Sequence, residues 1–88
     1  MSNLCISSLV VRTRPTMLTR VGDRINAMPE AEVYGEHEDG RLVVVLDTAD
    51  NRQAADRISV IQNQADVLSA TLIYQYDDQF GSQVETPV

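Results

Sequence analysis

The chain has 88 residues, which is enough for one domain with a modest core and too few for two. Its 13 Asp and Glu residues against 7 Lys and Arg residues give a net charge of −6, which argues against binding to a nucleic-acid backbone because such proteins present a basic face. The single cysteine excludes an intramolecular disulfide and a multi-cysteine metal site.

The N-terminal segment does not have the features of a secretory signal peptide. No basic residue precedes its first apolar run, and serines interrupt that run. No apolar stretch in the chain approaches the roughly 18 residues that a membrane-spanning helix requires. We therefore expect a cytoplasmic protein without a membrane span.

The first half of the chain predicts a strand, a helix and a second strand. Residues 4–12 alternate in a way typical of a strand. A helix follows from Pro15, which suits the first turn of a helix, and Pro29 ends it. Residues 31–36 predict a weaker strand whose polarity suits the edge of a sheet.

The second half predicts a strand, a helix and a last strand. The dipeptide Asp39-Gly40 is a hairpin signal that leads into a strand ending at Thr48. Asp50 is a candidate N-cap for the second helix, with Gln53 three residues later as in a capping box. Residues 67–76 form the last predicted strand. We expect one domain over residues 1–76 and a flexible acidic tail over residues 77–88.

The order of these elements predicts an α+β fold. We expect a ferredoxin-like βαββαβ sandwich, in which a four-stranded antiparallel sheet carries two helices on one face. The first and third strands lie in the centre of such a sheet, and the second and fourth lie at its edges. The apolar run Leu42–Leu46 is then a central strand with both faces at least partly covered.

The residue Asp47 distinguishes the two faces of the sheet, because a carboxylate is costly to bury against helices. Alternation from Asp47 predicts that Leu42, Val44 and Leu46 face the helices. On the other strands we expect the same orientation for Ser7, Leu9, Val11, Leu68, Ala70, Leu72 and Tyr74. The opposite face, called the open face below, is expected to include Val67 and Gln75 as well as the candidate site.

The open face is predicted to be mixed rather than polar. A contiguous apolar patch on the surface of a monomer usually indicates a partner surface. The candidate residues supply an apolar floor, hydroxyl groups and an acidic margin: Ile6, Ser8, Val10, Glu32, Val43, Val45, Asp47, Ser69, Thr71 and Ile73. Burial of this face in a homodimer is the alternative that the residues leave open.

Side chains with catalytic or metal-binding chemistry are sparse. His37 stands alone in the predicted hairpin, Cys5 lacks the second thiol of a C-x-x-C loop, and no G-x-S-x-G elbow surrounds Ser7. The central strands lack the aromatic residues on which RNA-binding modules of this topology stack bases. We expect no enzyme activity, no cofactor, no metal and no nucleic-acid partner. A homodimeric regulatory domain that binds a small ligand remains an alternative.

Three segments in combination resemble the NapD family of small cytoplasmic chaperones. They are SSLVV at residues 7–11, GRLVVVLD at residues 40–47 and LIYQ at residues 72–75, with an acidic tail after them. The resemblance covers residues 4–76. Some members have a cysteine where this chain has Ser7, so no family role is carried over to Cys5.

The resemblance implies a chaperone that binds the twin-arginine signal peptide of the periplasmic nitrate reductase catalytic subunit. Such a chaperone delays export until the molybdenum cofactor has been inserted. On the open face, Asp47 or Glu32 would lie near the two arginines. Val43, Val45 and Ile73 would lie under the apolar segment of the peptide. Addition of the peptide as a strand at the sheet edge is the competing mode. The protein is expected to be a monomer or a weak homodimer.

Overall fold

The computed structural model describes residues 4–77 and the backbone of residues 81–85. A short 3-10 turn at Pro15–Met17 precedes the first α-helix. The elements in chain order are β1 (Cys5–Thr13), α1 (Leu18–Asn26), β2 (Ala31–His37), β3 (Arg41–Thr48), α2 (Asn51–Gln62), β4 (Val67–Asp77) and β5 (Gly81–Glu85).

The strands form one antiparallel sheet in the order β2-β3-β1-β4-β5. Its first four strands and the two helices have the ferredoxin-like arrangement, so the predicted fold is confirmed. Strands β1 and β3 are central, as predicted. Val21 and Ile25 of α1 and Ile61 of α2 pack in the core against the same face of the sheet.

The fifth strand lies within the segment that the sequence predicts as a tail. Gly81–Glu85 pairs with the Tyr74–Asp77 end of β4, so the backbone at residues 81–85 is extended and hydrogen-bonded. An unpaired strand edge offers a row of N–H and C=O groups to any neighbouring backbone, whatever the polarity of its side chains. The prediction from composition was therefore wrong about residues 81–85. Residues 78–80 and 86–88 of the predicted tail lie outside the described residues.

The orientation of β3 follows the prediction made from Asp47. Leu42, Val44 and Leu46 are fully buried, whereas Val43 retains 42% of its exposed surface. Burial of each such side chain contributes about 1.5–3 kcal/mol to folding. Strand β3 therefore presents a core face and a solvent face.

The predicted cap of α2 is confirmed. The backbone N–H of Gln53 donates to the Asp50 carboxylate at 2.8 Å, and the Gln53 side chain accepts from the backbone N–H of Ala49 at 2.8 Å. Two N–H groups at the start of the helix are satisfied in this way. The cap fixes where the chain turns from the end of β3 into the helix.

A β-bulge in β4 reverses part of the predicted alternation. Leu72 pairs with Leu9 but Tyr74 pairs with Ser8, which leaves Ile73 as the extra residue. Tyr74 therefore lies on the open face. Gln75 is buried and donates to the Ser7 hydroxyl at 3.1 Å. The predictions for Tyr74 and Gln75 were wrong because an inserted residue shifts a period of two by one position.

A second irregularity at the start of β4 changes the orientation of two more residues. Thr13 pairs with Val67 and Arg12 with Ser69, so Leu68 has no paired position on β1. Val67 packs against the core, whereas Leu68 is 64% exposed. The sequence predicted the opposite for both residues, for the same physical reason.

Candidate functional site

The pairing of β1 with its neighbours arranges most of the predicted site residues in rows across the open face. Strands β1 and β3 pair from Cys5↔Thr48 to Arg12↔Arg41 without a register shift. Side chains of one face therefore stand opposite each other along both strands. The rows are Asp47–Ile6–Tyr76, Glu32–Val45–Ser8–Tyr74, Gly35–Val43–Val10–Thr71 and His37–Arg41–Arg12–Ser69.

One predicted site residue is not in these rows. Ile73 is the bulge residue of β4, is half-buried and has no paired position on β1. The structure therefore does not align Ile73 with Val43 and Val45 as the sequence predicted. The other predicted residues do share the open face, although Ser69 lies in the row farthest from Asp47.

An acidic depression of about 340 Å³ occupies one end of the open face. It is lined by Ile6, Glu30, Ala31, Glu32, Tyr34, Val45 and Asp47. Glu30 accepts a hydrogen bond from the Arg57 guanidinium at 2.9 Å. Among the described residues, neither the Glu32 nor the Asp47 carboxylate has an ion-pair partner. Two exposed carboxylates beside apolar side chains are thus available to a cationic ligand.

A backbone hydrogen bond joins Asp47 on β3 to Glu30 in the loop before β2, and both residues line this depression. The N–H of Asp47 donates to the C=O of Glu30 at 2.8 Å, just beyond the pair Ala31↔Leu46. Glu30 itself has a positive φ of 70°, which turns the chain from the loop into β2. Glu32 pairs with Val45, so its side chain is a diagonal neighbour of Asp47, at a usual spacing of about 7–8 Å.

A second depression, of about 280 Å³, lies toward the other end of the face. Its lining includes Val10, Val43, His37 and Arg41. The Arg41 guanidinium donates to the Asp39 carboxylate at 2.9 Å and lowers the pKa of that carboxyl, with a smaller contribution from His37. The open face therefore has free carboxylates at one end, valines in the middle and guanidinium groups at the other end.

The edge of β2 and the part of β4 that precedes its pairing with β5 are each engaged by a helix side chain. The backbone N–H of Val33 on β2 donates to Asn26 Oδ1 at 2.8 Å, and Gln62 Nε2 donates to the C=O of Ala70 on β4 at 3.1 Å. A bulge at Tyr34 also interrupts the pairing of β2 with β3. Bulges and occupied edge groups oppose the addition of another strand.

The sequence analysis omitted Glu30 and Tyr34, which line the acidic depression, and assigned Tyr74 to the wrong face of the sheet. Alternation already placed Tyr34 two positions from Glu32 on the same face, and this signal was sufficient to include it. Glu30 lies outside the predicted strand, and Tyr74 reaches the open face only because of the bulge in β4. These two could not have been found from periodicity.

The described side chains hold no group of three or more His, Cys, Asp or Glu residues placed to bind a metal ion. Neither described helix has the length and apolar character needed to cross a membrane.

Comparison with known proteins identifies relatives over nearly the whole chain. The family model described as NapD protein matches residues 4–79. The chain is similar to Chaperone NapD of Escherichia coli strain K12, with 29% identity over 87 residues and 98% of each chain covered. The same identity and coverage are found for Chaperone NapD of Escherichia coli O157:H7 and of Shigella flexneri.

A solved structure shares the fold. It is the solution structure of the E. coli Tat proofreading chaperone protein NapD, which superposes with a TM-score of 0.80 at 25% identity. The match covers 99% of this chain and 93% of the other. The structural similarity thus extends over the same region as the sequence similarity.

Proposed function

The chain belongs to the NapD family, and on that premise we propose that it binds the twin-arginine signal peptide of the precursor of the periplasmic nitrate reductase catalytic subunit. Its relatives are named chaperones, and the chain is a chaperone rather than an enzyme. Binding in the cytoplasm would keep the signal peptide from the export machinery until the molybdenum cofactor has been inserted.

The observation that carries the proposal is the acidic depression beside an apolar floor on the open face. A twin-arginine peptide presents two guanidinium groups followed by an apolar segment. Guanidinium groups form their strongest hydrogen bonds with carboxylates, and Glu32 and Asp47 lack ion-pair partners among the described residues. Val45 borders the depression and Val43 lies one row farther on, 42% exposed.

These features favour one direction of the peptide on the face. Its arginines would lie near Asp47 and Glu32, and its apolar segment would extend over Val45 and Val43 toward Val10. The opposite direction would bring the arginines to the end where the Asp39 carboxylate is already paired with Arg41 and where Arg12 would repel them.

The same observations favour binding to the face over addition of a strand at the edge. Asn26 already accepts the hydrogen bond of Val33, which an added strand would need. The bulge at Tyr34 makes the edge of β2 irregular. The second candidate function, a homodimeric regulatory domain that binds a small ligand, is not favoured by the relatives, which are named chaperones.

Calorimetric titration with a synthetic signal peptide tests the proposal. We expect the twin-arginine peptide to bind in the micromolar range at moderate salt, and a twin-lysine version of the same peptide to bind more weakly. The proposal fails if neither peptide binds.

Light scattering tests the oligomeric state. We propose a monomer or a weak homodimer, because a face that receives a peptide must be accessible. A stable dimer that dissociates on addition of peptide would still be compatible with this site. A dimer that neither binds the peptide nor dissociates in its presence would place the open face in the dimer interface instead.

A further inference from the structure

Tyr34 has an unusual position in the sheet. The pairing of β2 with β3 passes from Val33↔Val44 to Gly35↔Val43, which leaves Tyr34 without a paired position. A bulge at a sheet edge changes the direction of the side chain that it carries. Tyr34 is 68% exposed, more than any other large apolar residue among those described. No packing requirement of the core explains an aromatic ring at this position.

Tyr34 lines the acidic depression together with Glu32 and Asp47. A guanidinium group is planar and weakly hydrated, so it can stack on an aromatic face while its edge donates hydrogen bonds to carboxylates. The ammonium group of lysine is compact and strongly hydrated, and it has no plane to stack. A tyrosine beside free carboxylates therefore favours arginine over lysine.

We propose that Tyr34, raised out of the β2 ladder by its bulge, is the residue that makes this site select arginine over lysine in the signal peptide. This inference rests on the proposed function. The carboxylates of Glu32 and Asp47 attract either cation, whereas the ring adds a contact that only the guanidinium plane makes fully. The selectivity thus comes from the ring and the attraction from the carboxylates.

Tyr74 provides the matched control. It is also a tyrosine on the open face and is 36% exposed. It belongs to β4, where it pairs with Ser8 of β1, and it does not line the acidic depression. Loss of its ring removes aromatic surface from the same face without changing the surroundings of Glu32 and Asp47.

The test is the ratio of the affinities for twin-arginine and twin-lysine peptides, measured by calorimetry with the wild type and with Tyr34→Ala, Tyr34→Phe and Tyr74→Ala. We expect Tyr34→Ala to lower the ratio by up to about fivefold, the full size of one exposed cation–π contact, because a lysine ammonium retains part of that contact. Tyr34→Phe keeps the ring and should keep the ratio. Tyr74→Ala should leave the ratio unchanged even if it weakens both peptides.

If Tyr34→Ala leaves the ratio unchanged, even with an equal loss of affinity for both peptides, the inference is overturned and the proposed function stays intact. Failure of the wild type to bind the twin-arginine peptide rejects the proposed function itself. Circular dichroism checks that each variant is folded. The ring-proton shifts of Tyr34 in the wild type give an independent measurement. They should move on titration with the twin-arginine peptide and much less with the twin-lysine peptide, and equal movement with both contradicts the inference.

Discussion

Replacement of Asp47 by asparagine removes one carboxylate from the acidic depression and keeps the size of the side chain. The side chain is exposed at the end of β3 and has no ion-pair partner among the described residues, while its backbone N–H donates to the C=O of Glu30 at 2.8 Å. We therefore expect Asp47→Asn to change the free energy of unfolding by less than about 0.5 kcal/mol. Any loss of peptide affinity then reports on binding rather than on folding.

The expected loss of affinity follows from the exposure of the ion pair that Asp47 would form with an arginine of the peptide. A solvent-exposed ion pair contributes about 0.2–1 kcal/mol, so removal of the carboxylate should lower the affinity for the twin-arginine peptide by up to about fivefold. The effect should shrink with added salt, since the Debye length falls from about 10 Å at 0.1 M to about 3 Å at 1 M. The twin-lysine peptide should show a similar loss, because the carboxylate attracts an ammonium group as well as a guanidinium group.

Asp56→Asn is the matched control. Asp56 is an exposed residue of α2, on the side of the sheet opposite the open face, and its replacement changes the net charge by the same amount. Calorimetry at low and high salt should show a clear effect for Asp47→Asn and almost none for Asp56→Asn. Equal effects of the two variants would mean that only the net charge matters. No effect of Asp47→Asn would move the arginines away from this residue.

Three further predictions concern the edge, the two sides of β3 and the hairpin. Asn26→Ala removes the acceptor of the Val33 N–H at the edge of β2, so we expect the free energy of unfolding in urea to fall by about 1 kcal/mol. The peptide affinity should not change, and tighter binding would indicate strand addition. Val44→Ala should cost about 2–3 kcal/mol of stability, because the side chain is fully buried. Val43→Ala should lower the stability by less than about 1 kcal/mol yet lower the affinity for the peptide. A large loss of stability in Val43→Ala with a loss of affinity only in Val44→Ala would refute the assignment of faces. Hydrogen bonds from Arg41 hold the pKa of Asp39 below its ordinary value of 3.8. The Asp39 carboxylate therefore stabilises the fold above that pH, and this stabilisation is lost as the pH falls through the lowered pKa. The difference in Tm between the wild type and Asp39→Asn should therefore be larger at pH 7 than in acid, and a difference that persists in acid would contradict this origin.

The centre of the sheet could be predicted from the sequence because its pairing is regular. Strands β1 and β3 pair without a register shift, so alternation from Asp47 assigned the residues from Leu42 to Asp47 to the correct face. The cap at Asp50 could also be predicted, since it depends on residues only three positions apart. Local chemistry and a strict period of two were sufficient for these features.

The outer strands could not be predicted to the same detail. The extra residue Ile73 reverses the orientation of Tyr74 and Gln75, and the alternation of apolar residues does not reveal such an insertion. The strand β5 depends on backbone hydrogen bonds to β4, to which the polarity of the side chains gives no guide. For the site, the sequence predicted the open face and its acidic margin but omitted Glu30, which lies in a loop before β2. It also omitted Tyr34, although alternation from Glu32 indicated that residue.

The central claim is that the peptide lies on the open face of β3. Val43 and Val45 face it, whereas Val44 and Leu46 of the same strand lie in the core. Intermolecular NOEs between a methyl-labelled protein and the unlabelled twin-arginine peptide test this claim directly. We predict NOEs from the apolar segment of the peptide to the methyl groups of Val43 and Val45. NOEs confined to the exposed methyl groups of α2 and Leu68, with none to the two valines, would contradict it.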